Sequence, residues 1–472
     1  MKILLMTAPY ISGTENLFPP LGILYLASSI RSKINNVEMK VVDGIKIGYQ
    51  KTFNEVKKYN PDIIVLSSLT NNAQGCYQFI KDVKKELPKV FITLGGAHPT
   101  AMPEEAARSG ADIVALGEGE ETVVDIVRNY PNMKDILGNA IQNDGKVFIQ
   151  LPRPLIMNLD SIPFPARDLI DLKSYNGWVF TKKNPNTQIF GSRGCPHNCN
   201  FCANPVWKHN KPWFRLRSPK NVMDEVEQLI DMGIREYFEE CDDLNTSKQW
   251  AIDICKEKIK RGLDIPWKAQ LRVDNIDDEL ANWMSKANLW YVQLGIENGN
   301  QRTLDGMGKG ITIKQIENAC KILKDNGITV MGMFIMFCVW EETNKLCYET
   351  EKETLNTINF SKSLFDRDLI DYVSISQEVP FPGSRLWGTA IKFNLIPEEY
   401  IGKWEHWNRS TKEEDLMRIP GVSQGNRVKI KNKGTQLQIN TVMRSGGINL
   451  RTFNFLSGRV FEFAKRKFKW GE

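Results

Sequence analysis

The chain has 472 residues, of which 42% are hydrophobic and 25% charged, and its formal net charge is +6. This length accommodates two or three domains with their own cores, and the charge excess is too small to indicate nucleic acid as a partner. The N-terminal sequence MKILLMTAPY lacks the features of a signal peptide. The longest apolar run, near Gly332 to Trp340, is too short for a transmembrane segment. Nine cysteines, three of them in one motif, indicate a reducing environment, so we expect a cytoplasmic protein.

Residues 1–130 alternate short apolar strands with amphipathic helices, starting with the strand KILLMTAP. This pattern predicts βαβ units and a Rossmann-like parallel sheet with helices on both faces. Ligands of such sheets bind outside the carboxyl ends of the strands. Three loops lie at these ends: Ser67-Ser68-Leu69-Thr70, Gly95-Gly96-Ala97-His98-Pro99-Thr100 and Gly117-Glu118-Gly119-Glu120. We therefore predict an α/β domain over residues 1–135 with a ligand site at these loops.

Residues 136–185, with prolines at 152, 154, 163 and 165, are predicted to form a linker. The βα alternation then resumes over residues 186–388, with a strand before the cysteine motif and five more. These five are Glu236 to Glu239, Trp267 to Leu271, Tyr291 to Ile296, Thr329 to Met336 and Tyr372 to Ser376. Residues 389–472 show no repeating unit and are assigned to a C-terminal substrate or capping domain. Within them Val460 to Trp470 is amphipathic and basic; a terminal helix packed on the protein and a membrane-surface helix are both open.

The segment Cys195-Pro-His-Asn-Cys199-Asn-Phe-Cys202 places three thiols in C-x3-C-x2-C spacing. Three thiolates can hold three irons of a 4Fe–4S cluster and leave the fourth iron open to a ligand. The alternative is a structural zinc site with His197 or His209 as the fourth ligand. No second C-x2-C or H-x3-H pair follows in the sequence, so the spacing favours the cluster.

This motif, with the aromatic Phe201 before the last cysteine, resembles the signature of radical SAM enzymes. The resemblance implies that Cys195, Cys199 and Cys202 bind the cluster and that the open iron chelates S-adenosylmethionine. Electron transfer from the cluster then cleaves S-adenosylmethionine to methionine and a 5′-deoxyadenosyl radical. It also implies that residues 186–388 form a partial (β/α)6 barrel of the TIM type, with its site at the C-terminal strand ends.

Further residues at the strand ends match radical SAM positions that contact S-adenosylmethionine. In Glu239-Glu240-Cys241-Asp242-Asp243 an acid would meet the methionyl amine, although the register among these acids is ambiguous. Gly295-Ile296-Glu297-Asn298-Gly299 matches the ribose-binding stretch, and Met331 to Met336 the adenine-packing strand. The resulting set is Phe201, Glu240, Asp242, Gln270, Arg272, Glu297, Lys309 and Phe334. Each of the charged residues could instead belong to an ordinary salt bridge at the mouth of a barrel.

The three N-terminal loops resemble the cobalamin-binding domain that precedes the radical domain in one radical SAM subclass. Glycines there let the backbone approach a bulky ligand, and hydroxyl groups can bond a nucleotide tail. The predicted cobalamin-binding residues are Ser67, Ser68, Leu69, Thr70, Gly95, Gly96, His98, Pro99, Gly117, Glu118 and Gly119. A generic nucleotide-type sheet, in which the glycines only make turns, is the alternative.

Cobalamin domains that supply a lower ligand to cobalt carry D-x-H-x-x-G, and this chain has Asp43-Gly44-Ile45-Lys46-Ile47-Gly48. Isoleucine cannot bind cobalt, so we expect no histidine ligand at position 45. The frame could also be a chance match at a simple turn.

The resemblance implies a cobalamin-dependent radical SAM enzyme of the methyltransferase-like subclass, which methylates an unactivated carbon through methylcobalamin. Oxidative cyclisation, ring contraction or dehydration with the same cofactors is the alternative; a non-catalytic sensor lacks an accompanying motif. We expect a small-molecule, natural-product or lipid substrate and an external low-potential electron donor. No residue is assigned as a general base. Trp340 either lines a substrate pocket or belongs to the core.

Overall fold

The computed structural model describes residues 1–10, 18–133, 135–175, 177, 180–208, 211–407 and 416–444. Its N-terminal strands form one seven-stranded sheet in the order β2-β1-β3-β4-β5-β6-β7. The strands are β1 (Lys2–Thr7), β2 (Glu38–Asp43), β3 (Ile63–Ser67), β4 (Phe91–Gly95), β5 (Ile113–Ala115), β6 (Asn139–Asn143) and β7 (Lys146–Ile149). The first five are parallel, and β6 and β7 add an antiparallel hairpin. The first sheet therefore extends into the segment expected as a linker.

In the part of the chain that the structure describes, seven helices accompany this sheet and cover its two faces. They are α1 (Leu21–Lys33), α2 (Gly44–Ile47), α3 (Tyr49–Tyr59), α4 (Ala73–Glu86), α5 (Ala97–Ala101), α6 (Pro103–Ala107) and α7 (Glu120–Asn129). Two apolar cores lie on opposite faces, one centred on Leu4, Leu66 and Phe79 and the other on Leu5, Leu24 and Val124. Burial on both faces explains why the central strands are almost entirely apolar.

The second large sheet has six parallel strands in the order β17-β14-β13-β12-β11-β8. They are β8 (Asn186–Ile189), β11 (Glu236–Glu239), β12 (Trp267–Arg272), β13 (Leu289–Glu297), β14 (Thr329–Met336) and β17 (Tyr372–Gln377). Two small antiparallel pairs join them: β9 (Ser192–Arg193) with β10 (Arg215–Leu216), and β15 (Val339–Glu342) with β16 (Lys345–Tyr348). The predicted α/β architecture, a Rossmann-like sheet followed by a partial barrel, is confirmed.

The helices of the second half follow the strands in alternation. They are α8 (Pro219–Asp231), α9 (Lys248–Lys260), α10 (Asp278–Lys286), α11 (Gln301–Gly306), α12 (Ile313–Asp325), α13 (Glu351–Asp366), α14 (Arg385–Lys392) and α15 (Gln424–Arg444). Helix α15 lies along the edge strand β17, where Gln438 Nε2 donates to the Ile375 carbonyl at 3.3 Å. It thus covers a strand edge that would otherwise be open. Among the described residues, no helix has the length and apolar character needed to cross a bilayer.

A buried ion cluster joins the segment between the two sheets to the barrel. Arg167 and Arg217 both pair with the carboxylate of Glu225 on α8, and the Arg167 and Glu225 side chains are 0% exposed. Arg167 also donates to the carbonyl of Gln188 on β8 at 2.9 Å. Because two guanidinium groups share one carboxylate, loss of the carboxylate leaves buried positive charge without compensation.

We expect Glu225→Gln to destabilise the barrel by about 3–5 kcal/mol, the cost of breaking a buried ion pair. Urea unfolding monitored by circular dichroism would show a lower midpoint. Glu227→Gln, on the same helix but paired with Arg261 at the surface, is the matched control and should change stability by less than about 1 kcal/mol. Equal effects of the two substitutions would contradict a central role for this ion cluster.

Candidate active site at the junction of two sheets

The three predicted cluster cysteines lie on one loop that connects β9 to β10. Cys199 is buried, Cys195 and Cys202 are partly exposed, and all three are free thiols. Asn200 fixes the loop to the barrel: its N–H donates to the Met307 carbonyl at 2.9 Å and its side chain to the Val339 carbonyl at 2.7 Å. The thiols are thus presented on a fixed backbone rather than on a free loop.

The surroundings of the thiols fit a metal cluster. Burial raises the pKa of Cys195 to about 12, so the thiol is protonated at neutral pH until a metal displaces the proton. Arg272 places Nη1 3.6 Å from Cys199 Sγ, where a guanidinium stabilises thiolate charge. Three free thiols on one loop are the protein ligands that a 4Fe–4S cluster with one open iron requires.

The zinc alternative gains some support from a second grouping. Cys195, His197 and Asp243 offer ligand atoms that all lie within 4.8 Å of one another. This grouping leaves the thiols of Cys199 and Cys202 unused, and a structural zinc site needs four ligands. Asp243 is moreover hydrogen-bonded by Thr246. His209, the other predicted zinc ligand, lies outside the described residues.

A cavity of about 190 Å³ opens inside the barrel beside the cysteine loop. Seven of the eight residues predicted to bind S-adenosylmethionine line it: Phe201, Asp242, Gln270, Arg272, Glu297, Lys309 and Phe334. The eighth, Glu240, lines a second cavity instead. Alternation along the strand explains the clustering of residues 270 and 272 on β12, since both face the barrel interior.

The wall of the barrel cavity carries a connected set of charges. Lys309 Nζ lies 2.8 Å from Glu297 Oε1, and Arg272 Nη2 donates to the Lys309 carbonyl at 2.7 Å. A Cβ atom at Gly295 would lie 2.9 Å from Lys309 Nζ, so glycine makes room for this ion pair. The arrangement presents cationic and anionic groups together, as recognition of an amino-acid head group and a ribose requires.

The second cavity, of about 500 Å³, lies between the first sheet and the barrel mouth. Seven of the eleven predicted cobalamin-binding residues line it: Ser67, Leu69, Gly95, Gly96, Gly117, Glu118 and Gly119. Two barrel carboxylates also face it, Glu240 and Asp242, and Asp242 lines both cavities. The two cavities therefore adjoin at Asp242. Burial raises the pKa of Glu240 to about 7 and raises the pKa of Asp242.

Four predicted cobalamin-binding residues do not line this cavity: Ser68, Thr70, His98 and Pro99. All four are buried, and Ser68, Thr70 and His98 form contacts within the protein. Ser68 Oγ donates to Asn72 Oδ1 at 3.0 Å, and His98 Nδ1 lies 3.3 Å from Thr70 Oγ1. The His98 ring also contacts the Trp404 ring, with centroids 4.8 Å apart. In the structure these side chains support the loops rather than line the space.

Gly96 shapes the floor of the second cavity. Its φ is +106° and its ψ −174°, a region that only glycine adopts without strain. A Cβ atom there would lie 2.6 Å from the Ser68 carbonyl oxygen. Because position 96 has no side chain, the backbone of the loop leaves room for a large ligand in the cavity.

The segment from Asp43 to Gly48 forms a short capped helix, α2, rather than a simple turn. Asp43 is buried, accepts a hydrogen bond from Thr7 Oγ1 at 2.8 Å, and caps α2. A Cβ atom at Gly44 would lie 2.3 Å from the Thr7 carbonyl oxygen. Ile45 is not among the residues that line the second cavity. The expectation that position 45 supplies no cobalt ligand stays a prediction.

Several residues that line the second cavity were not among the predicted cofactor-binding residues. Arg193 immediately precedes Gly194-Cys195, and Tyr25 lies on α1. Trp207, Lys208, Trp213 and Arg215 come from the stretch after the cysteines. The basic and aromatic character of that stretch was a usable signal, whereas Tyr25 has no sequence signal because it belongs to an apolar helix.

Trp340 belongs to the core and lines neither large cavity. The chain leaves β14 through Phe337, which has a φ of +62°, and then forms the hairpin β15–β16. It returns at Glu349, whose N–H donates to the Cys338 carbonyl at 2.8 Å. Trp340 packs so closely on Gly306 that a Cβ atom there would lie 2.1 Å from the indole.

Family comparisons agree with this geometry. A model described as the B12 binding domain matches residues 9–127, and one described as the radical SAM superfamily matches residues 189–350. An uncharacterized methyltransferase of Pyrococcus horikoshii is 34% identical over 433 residues, covering 89% of this chain and 88% of the relative. The chain belongs to the B12-binding radical SAM family. The predicted cofactors of this family, a 4Fe–4S cluster, S-adenosylmethionine and cobalamin, are thereby confirmed.

Two further proteins are similar to this chain at lower sequence identity. The anaerobic magnesium-protoporphyrin IX monomethyl ester cyclase of Cereibacter sphaeroides is 26% identical, over 75% of this chain and 61% of the cyclase. The structure of the radical S-adenosylmethionine methyltransferase TsrM from Kitasatospora setae has a TM-score of 0.67 and 14% identity, covering 91% of this chain and 88% of that chain. At this identity the likeness shows the fold.

We expect Cys199→Ser to prevent cluster formation, because only two of the three thiolates remain. Anaerobic reconstitution with iron and sulfide, followed by iron and sulfide assays, measures the loss. His197→Ala is the matched control: a cluster held by the three cysteines retains its iron, whereas a zinc site built on His197 loses its metal. Retained iron in Cys199→Ser would contradict the assignment.

We expect Gly96→Ala to weaken cobalamin binding about 5- to 150-fold, since about 1–3 kcal/mol of backbone strain falls on the loop beneath the ligand. Gly22→Ala is the control: Gly22 lines the same cavity, yet a Cβ atom there has nothing within 4 Å. Equilibrium dialysis with hydroxocobalamin measures both. Unchanged affinity in Gly96→Ala would show that the ligand does not rest on this loop.

Proposed function

We propose that this protein is a cobalamin-dependent radical SAM enzyme that methylates an unactivated carbon of a small-molecule substrate. The observation that carries the proposal is the pair of adjoining cavities, which share Asp242. One lies beside the three free thiols and the other beneath the glycine-rich loops of the first sheet. A substrate carbon at their junction can approach both cofactors, which is the geometry that radical formation and methyl transfer need in succession.

Cys195, Cys199 and Cys202 are proposed to hold the cluster. When bound, the three cofactors supply the radical chemistry and the methyl group. The chain contributes position: Asn200 fixes the loop on the barrel rim, and Arg272 supports the thiolate charge at Cys199.

The barrel cavity is proposed to bind S-adenosylmethionine through its charged wall. Arg272 would pair with the carboxylate of its methionyl group, for which a forked guanidinium is suited, and Asp242 with the amino group. Glu297, held by Lys309, would accept from the ribose hydroxyls. Phe201 and Phe334 line the cavity and supply apolar surface for adenine. Gln270 adds an amide that can donate or accept.

The second cavity is proposed to bind cobalamin against the loops at residues 67–69, 95–96 and 117–119. Gly96 provides the flat approach, and the hydroxyl of Ser67 faces the cavity. Ser68, Thr70, His98 and Pro99 are proposed to hold these loops rather than touch the ligand. Glu240 faces this space rather than the barrel cavity, so its carboxyl would contact substrate or corrin amides. The chemistry assigns no side chain as a general base.

Oxidative cyclisation without methyl transfer is the second candidate. Its support is the identity of 26% to the anaerobic magnesium-protoporphyrin IX monomethyl ester cyclase. The chain spans about three-fifths of that relative's length, whereas it spans 88% of the uncharacterized methyltransferase. The fuller match favours methyl transfer. Either reaction requires an external low-potential electron donor, and the cytoplasm is the proposed location.

Anaerobic incubation of the reconstituted enzyme with reductant, hydroxocobalamin and methyl-deuterated S-adenosylmethionine distinguishes the two reactions. We expect S-adenosylhomocysteine, deuterated methylcobalamin and 5′-deoxyadenosine by mass spectrometry. Cys199→Ser should still bind cobalamin but form no 5′-deoxyadenosine, because that product requires the cluster. Wild-type formation of 5′-deoxyadenosine without methylcobalamin would favour cyclisation over methyl transfer.

A further inference from the structure

A network of buried charges lies on the wall of the second cavity. Arg193 is on β9, two residues before Cys195, and its Nη1 lies 3.1 Å from Glu118 Oε1. Its Nη2 donates to Glu120 Oε1. Glu118 lies in the loop that follows β5, and Glu120 is the first residue of α7 at the end of that loop. One guanidinium therefore bridges the proposed cobalamin loop and the strand that leads into the cysteine loop.

A second arginine completes the network. Arg215 on β10 pairs directly with Arg193 in the β9–β10 ladder. Its Nη1 and Nη2 donate to the two oxygens of Glu118 at 3.0 Å and 2.9 Å. The exposed fractions of the side chains are 23% for Arg193, 6% for Arg215, 10% for Glu118 and 8% for Glu120. Burial would raise the pKa of Glu118, but its hydrogen bonds with Arg215 and the charge of Arg193 hold this pKa below its usual value.

The backbone after Arg193 has little freedom to absorb movement. Gly194 has a φ of +80°, and a Cβ atom there would lie 1.9 Å from the Trp213 carbonyl oxygen. Its N–H also donates to Asp242 Oδ2 at 2.9 Å. Gly194 is therefore held on two sides and has little room to move.

The position of this network distinguishes it from the other buried ion cluster. Arg167, Arg217 and Glu225 are at least as buried but line neither large cavity. In contrast, Arg193 and Glu118 both line the second cavity, where a ligand can contact them or the adjacent glycines. A cluster that only stabilised the fold would not need to lie at the ligand surface.

We propose that Arg193 is a positioning residue that couples cobalamin binding at the loop of residues 117–120 to the conformation of the cysteine loop. The proposal rests on the proposed function, which places cobalamin in the second cavity and the cluster on the three cysteines. Coupling between two sites is reciprocal, so the cluster must change the affinity for cobalamin by the same factor that cobalamin changes the affinity for the cluster.

The test compares the affinity of the full-length chain for hydroxocobalamin with and without the reconstituted cluster. For the wild type we expect the cluster to tighten binding about tenfold, within the usual range of coupling between sites. In Arg193→Gln the two affinities should differ by less than about twofold. Glu120→Gln, which removes the partner carboxylate from the other side, should reduce the ratio in the same way. Isothermal titration calorimetry under anaerobic conditions measures each affinity.

Arg261→Gln is the matched control, because Arg261 on the barrel pairs with Asp224, Glu227 and Glu257 and lines neither large cavity. It should keep the wild-type ratio. Arg193→Lys retains the charge without the forked geometry and provides a second variant if the glutamine form does not fold. An unchanged ratio in Glu120→Gln and in the folded Arg193 variants, or no cluster effect in the wild type, overturns the proposal. Failure of the wild type to bind hydroxocobalamin in either state overturns the proposed function instead.

Discussion

In both large sheets the parallel strands direct their carboxyl ends toward one gap, and most candidate site residues lie on these strands or on the loops that follow them. Backbone groups beyond such ends are free of ladder hydrogen bonds, and the side chains there are available to ligands. Gly95 ends β4 on one side of the gap, and Glu240 follows β11 on the other. Asp242 lies where the two ligand spaces meet. Two large cofactors can therefore bind side by side, because the two sheets face each other across this gap.

Holding two sheets in this relation requires contacts that resist sliding, and the chain uses buried charge for this purpose. A hydrophobic contact is non-directional, whereas a guanidinium fork fixes angle as well as distance. Arg167 ties the connecting segment to α8 and β8, and Arg193 ties the first sheet to β9. Buried ion pairs add little net stability, but breaking one is costly, so they select one arrangement over near alternatives.

Structural features that depend on a local residue pattern could be predicted from the sequence. Strand β14 and the three thiols follow from hydrophobic runs and cysteine spacing. The hairpin β6–β7 was missed because Asn139, Gln142 and Asn143 give it no apolar alternation. His98 was predicted to meet a ligand, but Trp404, about 300 residues away in the chain, packs on its ring. Glu240 was assigned to the wrong cavity, because a run of acids after a strand does not show which of them turns into the barrel. Long-range packing decides such cases.

The hairpin β15–β16 has a consequence for how this scaffold can change. Its two ends meet at Cys338 and Glu349, and Asn298 holds Glu349 through a hydrogen bond of 2.8 Å. The base of the hairpin is therefore closed independently of its length and tip. Because closing a longer loop between fixed ends costs little extra entropy, segments of different length can be exchanged at this point. Only the part of the hairpin beyond Trp340 can vary in this way, because the Val339 carbonyl anchors the cysteine loop through Asn200 and Trp340 packs on Gly306.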